Sequence, residues 1–365
     1  MPRISIPTII RAYHHHRLLP LLLKECRTLE SARNELRWLR ERALQVTQQK
    51  CTGERTISGQ SIAGWRSLLR KMCQVRSRGM PLQYILGDQP FGDLDIICKK
   101  GVLIPRPETE TITMHTANLV LKNMQGGQSQ ILAGDESAPL RILDLCTGTG
   151  CISLLLHALL SPHFQRLYIL GIDISDVAIG LARRNTEHNI RRGLLSKRAL
   201  TEVSFQRGTV LGHDHNNAPL VEDLMGDAFR ANSPCGVRCD VLISNPPYIS
   251  PEHFRDGTTS RSVRIFEPEL ALVPPDEHFP HTEEPTLRED LFYHYIISLS
   301  FRLQVKLVVL ECGDGPQARR VAALCRRALD RDQLAGELSV GVWSVGGTDA
   351  APHAVIVQQH VKIDV

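Results

Sequence analysis

The chain has 365 residues, 42% of them hydrophobic and 22% charged, with a formal net charge of +4. That length supports two domains with buried cores, and so slight a basic excess does not argue for a dedicated nucleic-acid surface. No apolar run is long enough to cross a bilayer. The cysteines are scattered through expected helices and strands, a pattern of reduced, buried thiols rather than a disulfide framework. Cys235 and Cys239 form a single CxxxC with no second pair nearby, so zinc is not expected.

At the N-terminus no acid precedes Glu25, whereas Arg3, Arg11, Arg17 and Lys24 stand among apolar residues. A basic, acid-free and amphipathic stretch of this kind is expected to act as an organellar import leader over residues 1–17, with His14, His15 and His16 as a solvated part of it. Residues 18–88 read as a helical domain: Leu36 and Leu39 share one face of the segment from Ser31 with charges opposite, and Gly64 to Cys73 does likewise. Gly79-Met80-Pro81 and Gly87 punctuate its end. Residues 89–110 are expected to form a hairpin, with a strand at Phe91 to Ile97, and a linker carrying the loop from Ile104 to Glu110, which leads into a helix.

Residues 111–365 make the second domain. The glycine-rich, polar stretch from Gln125 to Pro139 reads as a linker loop. Strands are then expected at 141–146, 167–173, 202–207, 239–244 and 305–311, with helices at 150–160, 175–190, near 288–302 and at 315–329. This alternation specifies a doubly wound, mostly parallel α/β sheet. Gly341 to Val365 alternates strongly and is expected to add one or two antiparallel strands. Residues 211–238 and 251–287 are long insertions, and the second follows a strand's carboxyl end, where lids over sites usually sit.

Two motifs carry chemistry. Strand 141–145 runs into Cys146-Thr147-Gly148-Thr149-Gly150, a glycine turn and helix start of the kind that wraps a nucleoside cofactor. A dinucleotide turn would need glycine at 153, which is Ser153. Asp173, ending the next strand, is suited to accept both ribose hydroxyls, although with Ser175 and Asp176 following it also reads as a helix cap. The second motif, Asn245-Pro246-Pro247-Tyr248, follows an apolar strand. Two prolines stiffen the loop. The Asn245 oxygen and the Pro246 carbonyl can accept both protons of an NH2 group, and Tyr248 offers a flat wall to a planar one. The pair of motifs indicates a methyltransferase acting on a planar NH2, with Asn245 at the junction of cofactor and substrate.

With Pro81 to Gly87, Leu103 to Glu110, Ile142 to Gly150, Ile243 to Ile249 and Phe266 to Leu272, the chain resembles the glutamine N-methyltransferases of peptide-chain release factors, the HemK/PrmC family. The resemblance spans about Leu18 to Glu311. It implies a helical release-factor-binding domain joined by a hairpin to a class I S-adenosylmethionine methyltransferase domain, which modifies the glutamine of the GGQ tripeptide in a class I release factor. By the same resemblance Cys146 to Gly150 and Asp173 hold the cofactor, and Asn245 to Tyr248 hold the glutamine amide. The helical domain resembles the bacterial and organellar branch. With the basic leader, this implies the mitochondrial matrix and a mitochondrial release factor as partner.

Three departures stand out. Cys146 replaces the first glycine of the family's turn. The residue beside the adenine is either at Thr209 and Val210 or at Asp227 and Ala228, the first being favoured because a β-rich run precedes it. Gly347 to His353 is unlike the family's usual ending. Gly126-Gly127-Gln128 copies the substrate tripeptide by chance in a glycine-rich linker. The main rival reading is a DNA or RNA adenine N6-methyltransferase, which shares the tetrapeptide. The chain shows no target-recognition domain and little net charge. A nicotinamide oxidoreductase is opposed by Ser153 and the tetrapeptide, and a non-catalytic binder of release factors by the intact tetrapeptide.

Overall fold

The computed structural model describes residues 4–52, 64–125, 139–211, 218–229, 238–276, 287–332, 338–344 and 353–359. The GGQ tripeptide at 126–128, Cys235 and most of the departure at 347–353 lie outside the described residues. The chain forms two compact units: residues up to Gln89 together with Ser260–Phe266, and Pro90–Thr259 together with Glu267–Val365.

The first unit is helical. It contains α1 (Ile6–His15), α2 (Leu19–Cys26), α3 (Leu29–Thr52), α4 (Trp65–Arg76) and α5 (Leu82–Leu86). Ser5 caps α1 by accepting from Thr8 N, and Pro20 sits in the first turn of α2, where a missing N–H is harmless. Leu19, Leu22, Leu23, Leu39, Leu69 and Cys73 form the core, joined by Ala12 of α1. Burying each leucine stabilises the unit by about 1.5–3 kcal/mol. One ion pair is set into this core: Arg76 Nε donates to Glu35 Oε2 at 2.8 Å and its second guanidinium arm to Oε1 at 3.0 Å. The segment from Ser260 carries a short helix, Arg261–Phe266, whose Ser262 hydroxyl donates to Gly79 O at 2.5 Å.

The hairpin strands β1 (Asp88–Phe91) and β2 (Leu94–Ile97) form a two-stranded sheet, followed by α6 (Pro107–Gln125). The main sheet contains β3 (Leu140–Leu145), β4 (Leu167–Asp173), β5 (Val203–Arg207), β6 (Val241–Ser244), β7 (Leu307–Cys312), β8 (Leu338–Ser344) and β9 (His353–Gln359) in the order β5-β4-β3-β6-β7-β9-β8. The first five are mutually parallel, and β9 pairs antiparallel with both β7 and β8. Helices follow the strands: α7 (Cys151–Leu160), α8 (Asp176–Arg191), α9 (Ala199–Glu202), α10 (Val221–Ala228), α11 (Pro251–Arg255), α12 (Arg261–Phe266, already placed in the first unit), α13 (Leu291–Arg302) and α14 (Gly315–Arg331).

Strand β3 is buried on both faces, with Leu140 and Ile142 in one core and Leu143 and Leu145 in the other. That is the expected burial of a central parallel strand covered by helices. Chain order reverses beside β3, which pairs with β4 on one side and β6 on the other. Crevices at such a switch point, outside the carboxyl ends of the strands, are where ligands bind in open α/β sheets. Both sequence motifs leave strands there.

The expected doubly wound sheet is observed, and the C-terminal alternation becomes the β8–β9 pair, starting at Leu338 rather than Gly341. The described parts of the two insertions contain the helices α10, α11 and α12, which their composition did not predict. Within 211–238, Val221, Met225 and Phe229 recur at helical spacing and are buried in the core of the second unit, a period masked by surrounding Asp, His and Pro. Ser250 caps α11, its hydroxyl accepting from His253 N at 3.1 Å.

Candidate active site

After β3 the chain turns through Cys146, Gly148 and Gly150, with φ of 61°, 55° and 79°. Glycine takes such values freely. Cys146 does so against the preference of an L-residue. At Gly150 a Cβ would lie 2.8 Å from Phe205 and 2.9 Å from Ala182, so this position admits only glycine. Asp144, fully buried, binds the turn to the helix start. Its Oδ2 accepts from the Thr147 hydroxyl at 2.6 Å, the Ser153 hydroxyl at 2.6 Å and Ser153 N at 3.2 Å. Burial outweighs these donors and pushes its carboxyl up to about 6. Ser153, which departs from the dinucleotide pattern, thus serves to anchor the turn.

Asp173 closes β4 with Oδ2 accepting from Gly148 N and Oδ1 from Ser175 N, each at 2.9 Å. It is not the cap of α8, because Ser175 fills that place by accepting from Ala178 N. Burial raises its pKa above the usual carboxylate range, against the backbone donors. Burial likewise pushes the Cys146 thiol well up, which keeps it protonated and unreactive.

These residues line a cavity of about 270 Å³, near the lower end of the usual range of roughly 300–1,000 Å³ for small-molecule pockets. Cys146 to Thr149 and Asp173 face it, as do Gly208 to Leu211, Pro105, Arg106 and Thr109, and Asn245 with Pro247. All lie in the second unit. Gly150 begins the helix without lining the cavity. Of the two segments considered for the adenine, Thr209 and Val210 reach the cavity wall. Ala228 lies in α10, outside the lining, and the side chain of Asp227 lies outside the described residues.

The tetrapeptide is divided in its exposure to this space. Asn245 and Pro247 line the cavity, whereas Pro246 and Tyr248 are not among its lining residues. The Tyr248 ring packs against the core, and its hydroxyl lies 3.5 Å from Glu311 Oε1. Gln317 on α14 holds the loop: its Nε2 donates to Tyr248 O at 3.2 Å, while its Oε1 accepts from Gly313 N at 2.9 Å. Ser244 Oγ donates to Leu145 O at 2.8 Å and ties the ends of β6 and β3 together.

Three residues take positions that the sequence reading did not assign. Glu267 accepts from Arg106 at 2.8 Å and from Ile104 N at 3.2 Å, so the segment after α12 clasps the proline-arginine loop over the cavity. Thr109 accepts from Asn245 Nδ2 at 3.0 Å and donates to Glu311 Oε1 at 3.1 Å. Glu311 is 2% exposed, its Oε2 has no partner among the described residues, and burial pushes its carboxyl up to about 7. A lone acid ending the apolar strand from Val305 was the only trace of it in the sequence.

No protein-family model matches the chain. It is 36% identical over 275 residues to the mitochondrial MRF1 N(5)-glutamine methyltransferase MTQ1 of Saccharomyces cerevisiae, covering 75% of this chain and 68% of that protein. The probable MRF1 mitochondrial N(5)-glutamine methyltransferase mtq1 of Schizosaccharomyces pombe is 33% identical over 72% of each chain. The release factor glutamine methyltransferase of Pasteurella multocida is 32% identical over 58% of this chain and 59% of its own. Solved structures align more loosely: the N-terminal domain of human METTL16 matches with a TM-score of 0.44 and 17% identity, over 88% of this chain and 94% of that one. At 36% and 33% identity across more than two thirds of both yeast proteins, this chain belongs to the release factor glutamine N(5)-methyltransferase family.

Proposed function

We propose that this protein transfers a methyl group from S-adenosylmethionine to the side-chain amide nitrogen of the glutamine in the GGQ motif of a class I peptide-chain release factor in the mitochondrial matrix. One observation carries the reading beside family membership: a single cavity is lined both by the Cys146–Thr149 turn with Asp173 and by Asn245 with Pro247. Cofactor-type and amide-type recognition therefore meet in one space.

The donor set fits the cofactor. Each Asp173 oxygen spends one acceptor site on a backbone N–H and keeps another for a ribose hydroxyl. Ile174, Val210 and Leu211 line the same cavity and offer apolar surface to a purine, with Val210 as its neighbour. When bound, the cofactor supplies an electrophilic methyl group on a cationic sulfur.

The protein's own contribution is alignment and electrostatics, because an amide nitrogen is a poor nucleophile with a delocalised lone pair. Asn245 Oδ1, on the cavity wall, accepts from the substrate NH2, which orients it and favours positive charge developing on nitrogen; Pro246 does not line the cavity, and its carbonyl is the second acceptor that a seated glutamine has to reach. Pro247 stiffens the loop, and Tyr248, held through Gln317 and the core, anchors its far end. The helical unit docks the release factor. The acid-free N-terminal stretch serves as the import address, although its α1 packs Ala12 into the core of the helical unit and so is part of that unit and not a separate segment; the names of the yeast relatives support a mitochondrial placement.

The reaction is tested with labelled S-adenosylmethionine and a purified mitochondrial release factor. Label is expected on the GGQ factor and not on its GGE variant, since a carboxylate offers no donor to the Asn245 oxygen and brings a charge besides. Asn245→Ala is expected to lower turnover by about two to three orders of magnitude, the worth of roughly 2.7–4 kcal/mol of oriented stabilisation. Labelling of adenine-containing DNA with none on the release factor would overturn the substrate while leaving the cofactor site standing.

A further inference from the structure

We infer that Thr109 and Glu311 are positioning residues that fix the Asn245 amide with its oxygen toward the cavity and its nitrogen away from it. The inference rests on the proposed role of Asn245 and adds the device that makes its side chain an acceptor rather than a donor.

An asparagine amide can present either end to a ligand, and the two ends differ little in shape. Only its hydrogen-bond partners decide between them. Here the Asn245 nitrogen stands 3.0 Å from Thr109 Oγ1, and that oxygen stands 3.1 Å from Glu311 Oε1. A hydroxyl has one proton. An ionised carboxylate only accepts, so Thr109 gives its proton to Glu311 and meets Asn245 with lone pairs. Asn245 must then donate to Thr109, and its oxygen remains for the cavity that it lines.

The reverse arrangement is disfavoured at both ends of the chain. If Asn245 turned its oxygen to Thr109, the hydroxyl would have to donate there and abandon Glu311. The carboxylate is 2% exposed. Its Oε2 has no partner among the described residues, and its other contact is the Tyr248 hydroxyl at 3.5 Å. It therefore depends on the Thr109 proton, and a buried charge stripped of its best donor is strongly destabilised. Thr109 is itself 3% exposed and is fixed at the first turn of α6, where its carbonyl accepts from the Thr113 hydroxyl at 2.7 Å. The Thr109–Glu311 link is buried, so water has little access to replace it.

The relay also has a direction that protonation reverses. A protonated Glu311 can donate to Thr109, which then donates to Asn245 and turns the amide nitrogen toward the cavity. The groups that face Glu311 are Arg106 and Glu108 before and at the start of α6, Cys151 at the start of α7, Tyr248 after β6, and Cys312 and the Tyr293 hydroxyl beside its own strand. Burial raises its pKa to about 7, with Thr109, Tyr248 and Arg106 opposing.

The full-length protein, a purified GGQ release factor and labelled S-adenosylmethionine test this with Thr109→Val, Thr109→Ser and Glu311→Gln. Thr109→Val keeps the shape and removes the relay. It is expected to lower kcat about tenfold or more, with the affinity for S-adenosylmethionine and the KM for the release factor within twofold of wild type. Thr109→Ser is expected to restore kcat. In wild type, kcat is expected to fall as pH drops through about 7, and in Glu311→Gln that step is absent. Wild-type kcat and pH profile in a folded Thr109→Val protein, or no rescue by serine, would overturn the relay. Failure of the wild-type enzyme to label any GGQ factor is a separate result, and it removes the reading on which the relay stands.

Discussion

At Asp173 one carboxylate ties the turn together and faces the cavity, accepting from Gly148 N and Ser175 N at 2.9 Å each. Asp173→Ala is therefore expected to act twice. It should weaken S-adenosylmethionine binding by about 1.5–3 kcal/mol and lower the unfolding free energy by about 1 kcal/mol, because the half-buried Gly148 N–H loses its acceptor. Titration calorimetry and a denaturant melt measure the two effects separately; reduced stability with unchanged affinity would confine Asp173 to the turn. Asp173 and Asn245 were legible in the sequence because each closes an apolar strand beside a recognisable turn. Thr109 and Glu311 were not. They stand 202 residues apart in the chain, and Thr109 lies 136 residues from Asn245, so only the folded sheet brings their oxygens together.

Among the elements, α14 does more than cover the sheet. Asp314 caps it, accepting from Gln317 N at 2.7 Å, and the cap sets Gln317 beside the Asn245–Tyr248 loop. From there Nε2 reaches Tyr248 O, Glu289 O and Asp290 Oδ1, each at 3.2 Å. Asp290 is in turn held by Arg320 Nε at 2.6 Å. Gln317→Leu preserves the volume and removes the donor to the part-buried carbonyls of Tyr248 and Glu289 and the acceptor of Gly313 N, while Asp290 keeps Arg320. A stability loss of at least about 2 kcal/mol is expected, with a fall in kcat larger than any change in cofactor affinity. A folded Gln317→Leu protein with wild-type kcat would show that the Tyr248 carbonyl needs no such anchor. The rhythm of strands and helices was readable because buried parallel strands are short apolar runs and their helices are long enough to show a period. Helices α10, α11 and α12 are each too short, and too mixed with Pro, Asp and Ser, for periodicity to separate them from loops.

For the whole molecule, the net charge of +4 conceals a division. The helical unit, Met1–Gln89 with Ser260–Phe266, holds 18 Lys and Arg against 6 Asp and Glu, a net of +12, and the remaining residues carry 25 against 33, a net of −8. The near-neutral chain thus contains a basic unit whose field suits an acidic macromolecular surface. On the proposed reading that surface belongs to the release factor, and the catalytic unit receives only the glutamine and the cofactor. Ser260–Phe266, from the stretch after the Asn245–Tyr248 loop, belongs to the basic unit, and Glu267, the next residue, clasps Arg106 within the second unit. The most direct measurement of the central claim is mass spectrometry of the GGQ peptide from mitochondrial release factors in cells with and without this gene. The account predicts a glutamine one methyl group heavier in the first and unmodified in the second, restored by the wild-type gene and not by Asn245→Ala. An equally methylated GGQ peptide in both would contradict it.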